Sequence, residues 1–80
     1  VWVVGLDAGG EVSVHDLPVA TDAVCLVLGA EGKGLSRLAA QRCDLVASIP
    51  LHGHLSSLNV ASAGAVACYE IARRRPPATV

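Results

Sequence analysis

The chain has 80 residues, a formal net charge of −1 and 52% apolar residues. That apolar share excludes a disordered segment, the near-zero charge excludes a broad basic field that would hold nucleic acid by charge alone, and the length allows at most one domain with a small core. Any nucleic-acid contact would then be local or shared with parts of the protein outside these residues, and the apolar surplus predicts a covering neighbour: more chain, a partner subunit, or both.

In chain order, residues 1–6 form an apolar, β-branched run that predicts a buried strand. The chain opens inside that run at Val1-Trp2-Val3-Val4, so it is expected to be a fragment with its N-terminal part cut away. Asp7-Ala8-Gly9-Gly10 reads as a turn. Residues 11–17 alternate weakly, with Val12 and Val14 opposite Ser13 and His15, and read as a short edge strand or an extended loop ended by Pro18. Residues 23–28 give a second strand, stopped by Gly29, and Leu35, Leu38 and Ala39 have the spacing of one helical face over residues 35–43.

Residues 45–49 give a third buried strand, closed by Pro50, and His52-Gly53-His54 is a loop. Ser56 or Ser57 can cap a final helix over residues 58–74. Arg73, Arg74 and Arg75 oppose its dipole and read as a solvated helix end rather than an RNA contact, and Pro76-Pro77 prevents continuation. Continuous apolar strands alternating with helices predict a parallel α/β sheet covered on both faces. The first half of the final helix is small all round, from Ala61 to Cys68. Two readings stay open: tight packing on its own sheet, or a helix sandwiched between that sheet and a second subunit.

Cys25, Cys43 and Cys68 are odd in number and unpaired in spacing, so neither a disulfide framework nor a zinc site is expected. Each sits in an apolar run and reads as a small buried residue of a reducing cytoplasm. His52 and His54 lack a third ligand nearby in sequence, so no metal is expected. Residues 60–68, the longest small and apolar stretch, reach about half the length that a bilayer span needs, so no membrane segment is expected.

Leu26-Val27-Leu28-Gly29-Ala30-Glu31-Gly32-Lys33-Gly34-Leu35 reads as strand, turn and helix start. Ligands bind at the carboxyl ends of strands in open α/β sheets, where glycines admit close approach and helix N-termini offer free N–H groups. The G-x-x-G-x-G spacing excludes the G-x-G-x-x-G of dinucleotide folds, and Lys33 is followed by Gly34 rather than the Ser or Thr of a P-loop. Ser48-Ile49-Pro50-Leu51-His52-Gly53 and Ser56-Ser57-Leu58-Asn59-Val60 end a strand or start a helix in the same way, so three loops are expected to converge on one pocket. Lys33 and Arg37 beside it are candidates for meeting RNA.

These three segments, with Arg42-Cys43-Asp44 leading into the third strand, carry a resemblance. Residues 26–75 resemble the C-terminal part of the SpoU (TrmH-type) RNA ribose 2′-O-methyltransferases of the SPOUT superfamily, nearest to the branch that modifies a guanosine of large-subunit ribosomal RNA. The resemblance implies an α/β domain with a trefoil knot, residues 1–75 being its C-terminal portion and 76–80 a tail. It implies S-adenosylmethionine as cofactor, contacted by Gly29, Ile49 and Leu58, and an RNA substrate, ribosomal before transfer RNA. It places Glu31, Ser57 and Asn59 near the methyl transfer in supporting roles. A homodimer through the final helix is expected. The family's upstream Asn and Arg motif, whose Arg is assigned to activating the 2′-hydroxyl, has no match in this sequence. The 80 residues alone are therefore expected to be inactive, and the alternative is a non-catalytic knotted module for RNA binding or dimerisation.

Overall fold

The computed structural model describes residues 1–29, 34–51 and 59–76. Four strands, β1 (Trp2–Leu6), β2 (Val12–Ser13), β3 (Val24–Leu28) and β4 (Leu45–Ser48), form one sheet in the order β2-β4-β1-β3. All three pairings are parallel. Two helices complete the fold: α1 (Arg37–Arg42) between β3 and β4, and α2 (Val60–Arg73) after β4. The expected parallel α/β architecture is thus observed. The knot expected of the C-terminal segment turns on residues 30–33 and 52–58, which lie outside the described residues.

Alternation along β1 divides the two faces of the sheet. Val4 and Leu6 point to one face and join Val14, Leu17, Val19, Ala20, Ala47, Ala67 and Ile71 in the core under α2. Gly5 points to the other, where the space beyond its Cα is occupied by Leu35 and Cys43 at the two ends of α1. The helices therefore cover opposite faces. Coverage is incomplete: Trp2, Cys25 and Leu28, on β1 and the edge strand β3, are exposed.

Several expectations change. Residues 11–17 do include a short edge strand, confined to two residues. Only Val12 and Ser13 pair, with Ala47 and Ser48, and a 3₁₀ turn at Val14–Asp16 follows, its His15 amide capped by the Ser13 hydroxyl. That turn drops Val14 and Leu17 into the core. The helix expected over 35–43 is shorter, starting after the Ser36 cap, and Leu38 is 58% exposed rather than on its buried face. Leu35 reaches the sheet from just before the helix. Cys25 and Cys68 are exposed, not buried, because Cys25 alternates away from the core on β3 and Cys68 lies on the outer side of α2. Cys43 is half-buried, its thiol donating to the Ala39 carbonyl at 3.2 Å.

The arginines are not a solvated helix end. Arg74 donates to the Leu17 carbonyl at 2.7 Å, and Arg75 donates to the Ala20 carbonyl at 2.9 Å and to that of Asp22. These bonds satisfy carbonyls of the connection into β3 and pin the end of α2 to it. Arg73 pairs with buried Glu70 at 2.6 Å, and His15 of the 3₁₀ turn meets the same carboxylate at 3.4 Å.

Two predictions follow from this core. Leu17→Ala should cost about 2–5 kcal/mol in urea unfolding, whereas Leu38→Ala should stay within about 0.5 kcal/mol. The Arg73 guanidinium, helped by His15, lowers the Glu70 carboxyl to about 2 from its ordinary 4.5, against the opposing effect of burial. The folded state thus holds that proton less tightly than the unfolded state does. The stabilisation is full above 4.5 and is lost as pH falls towards 2. Glu70→Gln should flatten that part of the acid-unfolding profile.

Candidate functional site

Register places the strand ends level. Leu6 pairs with Leu28 on one side and with Ala47 on the other. Gly29 and Ile49 therefore leave the same edge of the sheet on either side of β1, roughly 10 Å apart by two strand spacings. The direction of α2 brings a third element there. Gly64 packs on Leu28 at the carboxyl end of β3, while Arg74 and Arg75 reach residues preceding that strand. The helix runs antiparallel to the strands, so Asn59 and the positive end of its dipole lie at the edge where the strands finish.

Asn59, not Ser56 or Ser57, is the N-cap of α2. Its side-chain oxygen accepts from the Ala61 amide at 2.9 Å and the Ser62 amide at 3.4 Å. The expected start at Leu58 is displaced by two residues because Asn is among the strongest caps and holds extended backbone there. Of the site residues named from sequence, Gly29, Ile49 and Asn59 are thus brought to one edge, with Ile49 and the following Leu51 half-buried. Glu31, Ser57 and Leu58 lie outside the described residues, as do Lys33 and the His52 and His54 pair. Arg37 is exposed in the first turn of α1.

Gly29 is needed for a reason internal to the chain. A Cβ there would run into the Gly34 carbonyl group and the Leu35 amide, so the exit of the turn is pressed against its entry. Gly34 itself has φ of +67°, in the left-handed region that favours glycine. Close approach is therefore real at Gly29, and the approaching group is the chain's own backbone.

One residue central to this edge is not evident from the sequence. Asp7, which reads there as a turn residue, follows β1 directly, and its amide donates to the Ala47 carbonyl at 3.0 Å. Its carboxylate accepts from the Gly9 amide at 3.0 Å and from the Leu35 amide at 2.9 Å. These two bonds, Gly9 first, hold the Asp7 carboxyl below its ordinary range. Asp44 plays a similar part at the opposite edge, exchanging bonds with Val3: its amide donates to the Val3 carbonyl at 2.7 Å, and its carboxylate accepts from the Val3 amide at 2.8 Å. Beyond the local Asp7–Gly9 turn, no local pattern marks either role, because Leu35 lies 28 positions from Asp7 and Val3 lies 41 from Asp44.

A groove of about 360 Å³ opens on the α1 face, lined by Asp7, Gly9, Glu11, Val12, Ala40, Asp44, Leu45 and Val46. It includes neither Gly29 nor Ile49. Among the described residues no group of three or more His, Cys, Asp or Glu is placed to hold a metal ion, and no helix is long and apolar enough to cross a membrane.

The cap assignment predicts that Asn59→Ala costs about 1 kcal/mol while Asn59→Asp costs far less. Thermal unfolding of the two variants checks it.

With this geometry in hand, comparison with known proteins is specific. Residues 1–69 match the SpoU rRNA Methylase family. An uncharacterized tRNA/rRNA methyltransferase of Mycobacterium ulcerans is 52% identical over 75 residues, which cover 94% of this chain and 24% of that protein. Among solved structures, the SpoU methyltransferase AviRb from Streptomyces viridochromogenes, in complex with the cofactor AdoMet, superposes with a TM-score of 0.82 and 38% identity over 91% of this chain and 27% of its own. The TrmH/SpoU tRNA modifying enzyme of A. aeolicus superposes with a TM-score of 0.79 and 30% identity over 91% of this chain and 37% of its own. The chain thus spans about a quarter of the length of the curated relatives it matches.

Proposed function

The chain belongs to the SpoU rRNA methylase family, and we propose that residues 1–75 are the C-terminal, cofactor-binding portion of an S-adenosylmethionine-dependent RNA ribose 2′-O-methyltransferase. The observation that carries this reading is the shared edge: the ends of β3 and β4 and the start of α2 meet where an α/β sheet presents its ligand. Support comes also from AviRb, which holds AdoMet and superposes on 91% of this chain.

The residues at the edge fit such a donor. Half-buried Ile49 and Leu51 offer apolar walls, as small-molecule pockets commonly do, with backbone groups at the strand ends for polar contacts. Gly29, Ile49 and Leu58 are the proposed contacts. When bound, the cofactor supplies an electrophilic methyl group on a sulfonium. The chain's part is orientation: holding the donor so that a ribose 2′-oxygen can approach in line with that methyl. Asn59 holds the start of α2 beside it, and Glu31 and Ser57 are proposed to act near the acceptor.

No residue of this chain is assigned to activating the 2′-hydroxyl, so the 80 residues alone should lack activity. Ribosomal RNA is the proposed substrate, in the cytoplasm. A homodimer is proposed through the outer side of α2, where Ala65, Val66, Cys68 and Tyr69 are exposed, Tyr69 at 71%.

The test is methyl transfer by the intact protein from radiolabelled S-adenosylmethionine to ribosomal and transfer RNA. Ribose 2′-O-methylation removes the nucleophile of alkaline cleavage, so label should appear in alkali-stable dinucleotides of ribosomal RNA. Label confined to mononucleotides would overturn the 2′-O assignment. Label on transfer RNA alone would overturn the ribosomal one. Donor binding without transfer to any RNA would favour a non-catalytic module.

A further inference from the structure

The exit of the glycine turn is held by a side chain outside it. The Asp7 carboxylate accepts from the Leu35 amide at 2.9 Å, immediately after Gly34. A Cβ on Gly34 would sit 2.9 Å from the oxygen that accepts this bond, Asp7 Oδ2, so only a glycine leaves the carboxylate room there. The Gly34 carbonyl group in turn lies against Gly29. Asp7 is itself fixed from two sides, by its amide on Ala47 of β4 and by the Gly9 amide on its other oxygen. Force on Gly29 is therefore passed through Gly34 and Leu35 to Asp7, and from there to β4, the strand that carries Ile49.

We propose that Asp7 is a positioning residue for methyl-donor binding, fixing the Gly29 and Ile49 sides of the site relative to each other through the Leu35 amide. This rests on the reading of the shared edge as the donor site. A carboxylate suits the task because it accepts only, and both neighbours that it meets are N–H donors. In Asp7→Asn an amide of the same shape would oppose one of those donors with an NH₂ group. The loss falls on donor geometry, not on the acceptor.

The experiment uses the intact protein and S-adenosylmethionine as probe. Asp7→Asn should raise the KM for the donor and its calorimetric Kd about tenfold, as expected for one charged hydrogen bond, and leave the KM for RNA within about twofold. Arg75→Ala, which loosens the opposite edge, serves as a stability control and should lower Tm without moving the donor KM. Ile49→Asp tests the underlying reading. If Ile49→Asp leaves donor affinity unchanged, the site is elsewhere and the Asp7 proposal falls with it. If Ile49→Asp weakens binding but Asp7→Asn does not, or if Asp7→Asn moves the donor and RNA KM values equally, Asp7 alone is overturned. Should Asp7→Asn fail to fold, the wild-type Leu35 amide decides: in NMR it should be protected from exchange and shift on donor addition, and an unprotected or unshifted amide overturns the proposal.

Discussion

The fold hangs on the central position of β1. It pairs with β3 on one side and β4 on the other, in parallel and in register, and so decides which residues leave the sheet together. Parallel neighbours need crossovers; the one from β3 to β4 carries α1 to the Gly5 face, and α2, after the last strand, covers the Val4 and Leu6 face. Asp7 continues the strand by one residue and converts register into a rigid corner. Its backbone extends the ladder to Ala47, while its carboxylate catches the chain returning from the glycine turn.

The two edges of the sheet share a carboxylate-to-amide bond, Asp7 on Leu35 and Asp44 on Val3, and differ in what else fastens them. At the carboxyl edge, carboxylate and amide groups fasten turns: Asp7 on Leu35, and Asn59 on the first amides of α2. At the amino edge, guanidinium groups fasten loops: Arg74 and Arg75 on the carbonyls of Leu17, Ala20 and Asp22. Both satisfy backbone groups that no strand or helix pairs. The difference matters for function, because the carboxyl edge is where the family's ligand is expected and the amino edge is structural. An arginine cluster that reads in sequence as a solvated helix end instead fastens the protein's own backbone through Arg74 and Arg75.

α2 shows how one helix can answer both readings of a small-residue stretch. Gly64 and Ala67 pack against the sheet, which requires small residues on that side. Ala61, Ala65 and Cys68 are exposed on the other, together with Val66 and Tyr69. Composition averages over the helix, whereas packing separates its faces.

The sequence by itself determined the fold class, the three long strands to within a residue or two, and the family. These rest on local pattern: apolar runs of strand length, glycine at the stop of β3, and motifs whose spacing survives without coordinates. The family resemblance named Gly29, Ile49 and Asn59, while chain order and parallel topology put the ends of the second and third long strands on one edge. Only the tertiary structure decided where side chains with distant partners go. The exposure of Cys25, Cys68 and Leu38, the locking of Arg74 and Arg75, and the hub at Asp7 all depend on contacts between residues far apart in the chain or on which face is covered. A hydrogen bond that Asp7 accepts from an amide 28 positions away leaves no period in the sequence to read.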